Sequence, residues 1–213
     1  MTNDERRIAV ATRLRELGHA FVDRDLSDDE LDRLAHDVDG LLTRVLAGGP
    51  RTVSIDPELV EAFTAQRLDT VSYLHEYLVS DSVVAGGANP MGLGARHWRD
   101  GDVAVMEAVI GKAFEGAPGR SHGGIIATLI DETMGFVLGL HGLFALTARL
   151  VVTYRAAAPV GQSVVARAWL ERQDGRKLTI GASVTAGDVR VADAEALFIT
   201  VDVTSLLDEP ESN

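Results

Sequence analysis

The chain has 213 residues, 46% hydrophobic and 24% charged, which fits one globular domain or a domain with a helical appendage and excludes disordered, collagenous and coiled-coil classes. Cysteine is absent, so disulfide scaffolds, zinc–thiolate centres, iron–sulfur clusters and cysteine nucleophiles are excluded. A formal net charge of −12 argues against a nucleic-acid partner, because such proteins present a basic face.

The N-terminal stretch MTNDERRIAV mixes charges and has no apolar core, so no signal peptide is expected and a cytoplasmic protein is the expectation. Ile8, Ala11, Leu14, Leu17 and Phe21 recur at helical spacing and predict a first amphipathic helix. Ser27 and Glu30 have capping-box spacing, with Leu26 and Leu31 placed as a hydrophobic staple around them. Leu31, Leu34, Ala35, Val38, Leu41, Leu42 and Val45 then form the stripe of a second helix, ended by Gly48-Gly49-Pro50. Asp56-Pro57 reads as the start of a shorter helix toward Leu68. The acidic run from Asp23 to Asp32 lacks a calcium-loop pattern and reads as a solvated helix start.

The texture changes over 80–92, rich in Gly, Ser, Asn and Pro. Arg99-Asp100-Gly101-Asp102 predicts a hairpin turn, and Val103 to Phe114 a strand. A loop from Glu115 to Gly119 leads to a helix over Gly123 to Leu140. Strands are then predicted over Leu146–Arg155, Ser163–Arg172, Leu178–Thr185 and Val189–Val203. Their short connections predict an antiparallel sheet, and one long helix set in such a sheet is an α+β arrangement.

That helix, GGIIATLIDETMGFVLGL, is apolar on nearly every side, as expected of a helix buried in a core or in a membrane. Asp131 and Glu132 near its centre count against a membrane span. A carboxylate in such a helix must be paired, hydrogen-bonded or protonated, which makes Asp131 a candidate functional acid as well as a candidate structural one. Small residues share its side of the helix: Gly124, Ala127, Thr128 and Gly135. Glu132 points about 100° away. At the helix start, His122-Gly123-Gly124 offers unobstructed backbone N–H groups and the positive end of the helix dipole to a ligand oxygen. Together with a downstream carboxylate, this can polarise a carbonyl and direct a nucleophile to it. His122 reads equally as a cap.

Gly119-Arg120-Ser121-His122-Gly123 matches the G-x-S-x-G nucleophile elbow, but the parallel sheet and downstream acid–histidine order of such hydrolases are missing. Gly92-Leu93-Gly94 lacks the third glycine of a dinucleotide fingerprint, and the six histidines show no metal-ligand spacing.

The run from Phe114 through His122-Gly123-Gly124 to Asp131 resembles the signature of hotdog-fold acyl-CoA thioesterases of the PaaI-like type. The strand from Leu146 to Arg155 and the turn Gly175-Arg176-Lys177 fit the same family. The resemblance covers roughly 85–203. It implies an antiparallel sheet wrapped around the long helix, as a hotdog domain over 81–213, with an N-terminal helical extension over 1–80 outside it. It implies a homodimer or dimer of dimers with active sites between subunits, an acyl-CoA substrate of fatty acid metabolism, no cofactor beyond the CoA of the substrate, no metal and no membrane span.

By the same resemblance, Asp131 is the general base or nucleophile for thioester hydrolysis, and the Gly123 N–H polarises the thioester oxygen. His122 shapes the site. Thr147, from a partner subunit, holds the water or the carboxylate. Gly124, Thr153, Arg155, Arg176 and Lys177 fall among substrate-binding positions. The loop offers Gly116 and Ala117 where several relatives carry Asn or Gln, and Arg155-Ala156-Ala157-Ala158-Pro159 lacks the more proline-rich continuation common in the family. A non-catalytic acyl-CoA or lipid-binding protein, and a hotdog enoyl-CoA hydratase, are the competing readings.

Overall fold

Alternating small and β-branched residues build the sheet. In the computed structural model, which describes residues 1–51 and 80–201, six strands pair antiparallel: β1 (Arg96–Asp100), β2 (Val103–Val109), β3 (Ala145–Tyr154), β4 (Ser163–Asp174), β5 (Lys177–Ala186) and β6 (Val189–Thr200). Their order is β1-β2-β4-β5-β6-β3, so β1 and β3 are the edges. The hairpin turns after β1 and β4 carry Gly101 and Gly175 at φ of 62° and 56°, a left-handed conformation that favours glycine.

Ala104, Met106, Ala108, Ala166, Ala168, Ile180, Ala182 and Phe198 point from the sheet into the core. The alanines leave a concave floor on which one helix can lie close. That helix, Gly123–Leu140, buries Ile126, Leu129, Ile130, Thr133, Met134, Phe136, Val137 and Leu138. It is long and apolar enough to cross a membrane; here its apolar sides are taken up by the sheet. Each fully buried Leu or Ile of this type contributes about 1.5–3 kcal/mol.

Among the described residues, two further helices precede the sheet: α1 (Asn3–Asp23) and α2 (Asp28–Leu46), which makes the core helix α3 in chain order. Both have complete capping boxes, Thr2 with Glu5 and Ser27 with Glu30. The predicted stripe of α1 is only partly covered. Ala11 is buried, whereas Leu14, Leu17 and Phe21 are exposed. The docked face instead runs through Ile8, Ala11, Arg15 and His19. The Arg15 guanidinium donates to the carbonyls of Gly87 (3.1 Å) and Asn89 (2.6 Å).

The predicted strand from Val103 to Phe114 is a correction. It ends at Val109, and Lys112–Phe114 is a single 3-10 turn. At Gly111 the backbone lies so close to the His19 ring that a Cβ would overlap it, so α1 packs directly on the chain just past the end of β2. The helix expected from Asp56-Pro57 to Leu68, and the final residues of the 189–203 strand, lie outside the described residues.

Candidate active site

The start of α3 is held by the loop before it. The His122 N–H donates to the Phe114 carbonyl (2.9 Å) and Ser121 N–H to that of Ala158 (2.9 Å). His122 is extended and caps the helix, its Nδ1 accepting from the Gly124 N–H (3.0 Å). On the far side of that peptide, the Tyr154 hydroxyl donates to the Gly123 carbonyl (2.8 Å). The Gly123–Gly124 peptide is therefore clamped at both ends. The N–H of Gly123 itself belongs to the first helical turn, which has no acceptor within the helix. A Cβ on Gly123 would come within 3.3 Å of the Tyr154 ring, and one on Gly116 within 3.0 Å of His122 Cα. Gly116 thus permits the close packing of loop on cap.

Beside this helix start lies a cavity of about 330 Å³ lined by Gly123, Ile126, Tyr154, Arg155, the alanines 156–158 and Val191. Arg155 Nε donates to Asp193 (2.9 Å), and Arg190 Nε donates to the same carboxylate (2.6 Å). Those hydrogen bonds, that of Arg155 foremost, hold the Asp193 carboxyl below the usual carboxylate range. Two guanidiniums on one carboxylate leave one positive charge in excess at the cavity edge, on a chain that is acidic overall.

Asp131 lies two turns further along α3 and is half-buried. Its Oδ1 accepts from the Thr147 hydroxyl (3.0 Å), while Oδ2 accepts no hydrogen bond from the described residues. The resemblance assigns Thr147 to a partner subunit; here it belongs to the same chain as the carboxylate. The cause is local. The β3–β6 register shifts between Thr147 and Arg149, a bulge that adds one residue to β3. Side chains alternate along a strand, and the extra residue brings Thr147 onto the face of Leu150, Val152 and Tyr154, toward α3. Thr153 falls on the opposite, exposed face.

Glu132 has a structural role. Its carboxylate accepts from the Ser82 hydroxyl (2.6 Å) and the N–H groups of Ala85 (2.8 Å) and Val84 (3.2 Å), pinning the 82–85 loop to α3. The Ser121 hydroxyl donates to the His122 carbonyl (3.2 Å), not to an imidazole, so the G-x-S-x-G match is a coincidence of sequence. Among the described residues no three His, Asp or Glu side chains converge as a metal site.

The predicted residues therefore fall into two groups at opposite ends of β3. His122, Gly123, Gly124 and Arg155 gather near Tyr154. Asp131 and Thr147 gather at the other end, where Lys177 is in register with Ile199, which in turn pairs Leu146. Arg176 donates from Nε and Nη2 to the Thr200 carbonyl (3.2 and 3.0 Å), so its guanidinium braces the turn. Sequence reasoning missed Tyr154 and the bulge. The signal for Tyr154 was alternation: between Thr153 and Arg155, it must face the helix they do not.

A single long helix wrapped by one antiparallel sheet, with glycines at its start and a carboxylate within it, is the hotdog fold of thioesterases. Residues 119–192, about a third of the chain, match the family model described as thioesterase superfamily. Among curated proteins, the mouse acyl-coenzyme A thioesterase THEM4 is 38% identical over 94 residues, 43% of this chain and 40% of that protein. The Xenopus laevis THEM4 is 36% identical over 91 residues, 42% of this chain and 41% of the relative. The match thus spans about two fifths of the length of these relatives.

Among solved structures, a thioesterase superfamily protein superposes with a TM-score of 0.76 at 19% identity, covering 91% of this chain and 90% of its own. The E. coli PaaI protein from the phenylacetic acid degradation operon gives 0.54 at 14%, covering 67% and 96%. At these identities the likeness is one of fold.

Proposed function

We propose that the protein is an acyl-CoA thioesterase that hydrolyses the thioester to a free acid and CoA. The observation that carries this reading is the pairing of a donor-rich helix start at Gly123 with a carboxylate on the same helix, anchored at one oxygen by Thr147 and open at the other. Identity to the THEM4 proteins supports the substrate class. The Gly123 N–H polarises the thioester oxygen, aided by the positive end of the α3 dipole. Asp131 either takes a proton from water as the water oxygen attacks the carbonyl carbon, or attacks that carbon itself to give an anhydride that water then opens. In both routes the C–S bond breaks, the thiolate leaves and is protonated, and no cofactor is consumed. The excess positive charge at Arg155 and Arg190 suits the phosphates of CoA.

In this reading, two copies of the chain form the working unit. Gly123 and Asp131 are eight residues apart, about 12 Å along a helix axis, whereas the oxygen and carbon of one carbonyl are adjacent atoms. One thioester therefore takes its N–H from one chain and its carboxylate from the other. The open edge of β3, with Leu146, Val151 and Tyr154 exposed, is the surface for that pairing.

The test mixes two inactive variants. Gly123→Pro removes the donor at a first-turn position whose backbone suits proline, after a residue already extended (His122 ψ 135°); because its Cβ would meet the Tyr154 ring at 3.3 Å, an unchanged melting temperature must accompany the loss of activity. Asp131→Asn removes the carboxylate. Each alone should hydrolyse acyl-CoA, from acetyl to palmitoyl, at about 1% of the wild-type rate or less. Unfolded and refolded together, they should regain about a quarter of wild-type activity, because a random mixed dimer holds one intact site. No recovery would exclude the shared site. Normal turnover in Asp131→Asn would exclude the mechanism, and stabilisation by acyl-CoA without any wild-type hydrolysis would favour a binding protein instead.

A further inference from the structure

The N-terminal helix reaches the candidate site through one side chain. His19 Nδ1 accepts from the Ala113 N–H (3.1 Å), and its ring stands edge-on to Phe114 with centroids 5.2 Å apart. The carbonyl of that same Phe114 accepts from the His122 N–H, and His122 in turn caps α3 through Gly124. An unbroken series of contacts thus runs from α1 through the 3-10 turn to His122 and Gly124, the residues on either side of Gly123. We propose that His19 is a positioning residue, through which the N-terminal helix holds the substrate-binding start of α3 in place.

Three observations support it independently. Gly111 lacks the Cβ that would exclude the imidazole. Arg15, one turn earlier, fixes the same face of α1 on the carbonyls of Gly87 and Asn89. Lys112 and Glu115 pair across the turn. An amide donating to Nδ1 also requires the neutral imidazole, with its proton on Nε2. The N-terminal helix, outside the matched thioesterase segment, then sets how rigidly the donor end of the site is held.

The inference rests on the thioesterase reading for its kinetic arm alone, so the two can fail separately. In the full chain, His19→Leu keeps an apolar group against Phe114 and removes the acceptor. His19→Asn restores an acceptor, Oδ1, at the same number of bonds from Cα as Nδ1. Hydrogen exchange by mass spectrometry should show the amides of 112–124 exchanging about tenfold faster in His19→Leu, those of β4 and β5 unchanged, and His19→Asn within about threefold of wild type. With acetyl- to palmitoyl-CoA as probes, kcat should fall about three- to tenfold in His19→Leu at nearly constant KM, and recover in His19→Asn. Unchanged exchange over 112–124 in His19→Leu overturns the proposal, as does a His19→Asn protein no better than His19→Leu. If the wild type hydrolyses none of the probes, the thioesterase reading falls and the exchange arm alone decides the brace.

Discussion

α2 and α3 are nearly the same length, 19 and 18 residues, and opposite in texture and fate. α2 has a clean apolar stripe, a capping box and an acidic first turn, yet none of its residues is buried. α3 has no clear polar face and a carboxyl pair at its middle, yet eight of its residues are buried. A periodic stripe tells which side of a helix seeks cover. Uniform apolarity tells that cover is sought on more than one side, and here the sheet supplies much of it. A polar residue in the second kind of helix is therefore informative, and in the first kind it is ordinary.

Substitutions along the two helices measure that contrast directly. Asp131→Asn should lower kcat by about 10²–10⁴-fold, the range of general acid–base assistance, with the melting temperature little changed. Leu129→Ala, at a position with no exposed surface, should destabilise the protein by about 2–5 kcal/mol in urea denaturation. Tyr154→Phe, which frees one end of the Gly123–Gly124 peptide, should reduce kcat by about three- to tenfold with KM little moved, consistent with losing one hydrogen bond. Leu41→Ala, on the exposed stripe of α2, should change stability by less than about 0.5 kcal/mol. A large loss there would show that α2 is covered in solution and erase the contrast.

A fifth expectation concerns pH. Burial, and then the nearby Arg15, hold the His19 imidazole below its ordinary value. The charged groups around it are Arg15 and Asp23 on α1, and Lys112 and Glu115 on the turn. Because the docked form disfavours the proton, docking is fully stabilising above the free imidazole value of about 6.5 and weakens as pH falls through the lowered one. Limited proteolysis within α1 should accelerate on acidification from pH 7.5 to 5, and His19→Asn should remove the part of that response that tracks imidazole titration.

Most of the architecture was legible in the sequence because its signals are local. The bounds of α3 follow from His122 and the end of its apolar run, and the β1–β2 and β4–β5 turns follow from Asp-Gly pairs. The break after Val109 was not legible, because the chain just past it packs on a ring from α1, about ninety residues away in sequence. Asp131 stood out since a carboxylate is out of place in such a helix. Thr147 was seen as its partner but placed in the wrong chain, because the bulge that turns it inward has no signature in Leu146-Thr147-Ala148-Arg149. Glu132 and Asp131 look alike in sequence; only the 82–85 loop, folded against one of them, separates a carboxylate that fastens a loop from one that keeps an oxygen open.

The eight-residue spacing of Gly123 and Asp131 also bears on how such a protein is assayed. When each reaction centre is divided between two chains, specific activity is a function of protein concentration. It falls on dilution as the pairs come apart, even though every chain remains folded. A weak signal in a nanomolar assay would then report an association constant, not slow chemistry, and acyl-CoA, by bridging the two halves, would raise activity more steeply than simple saturation.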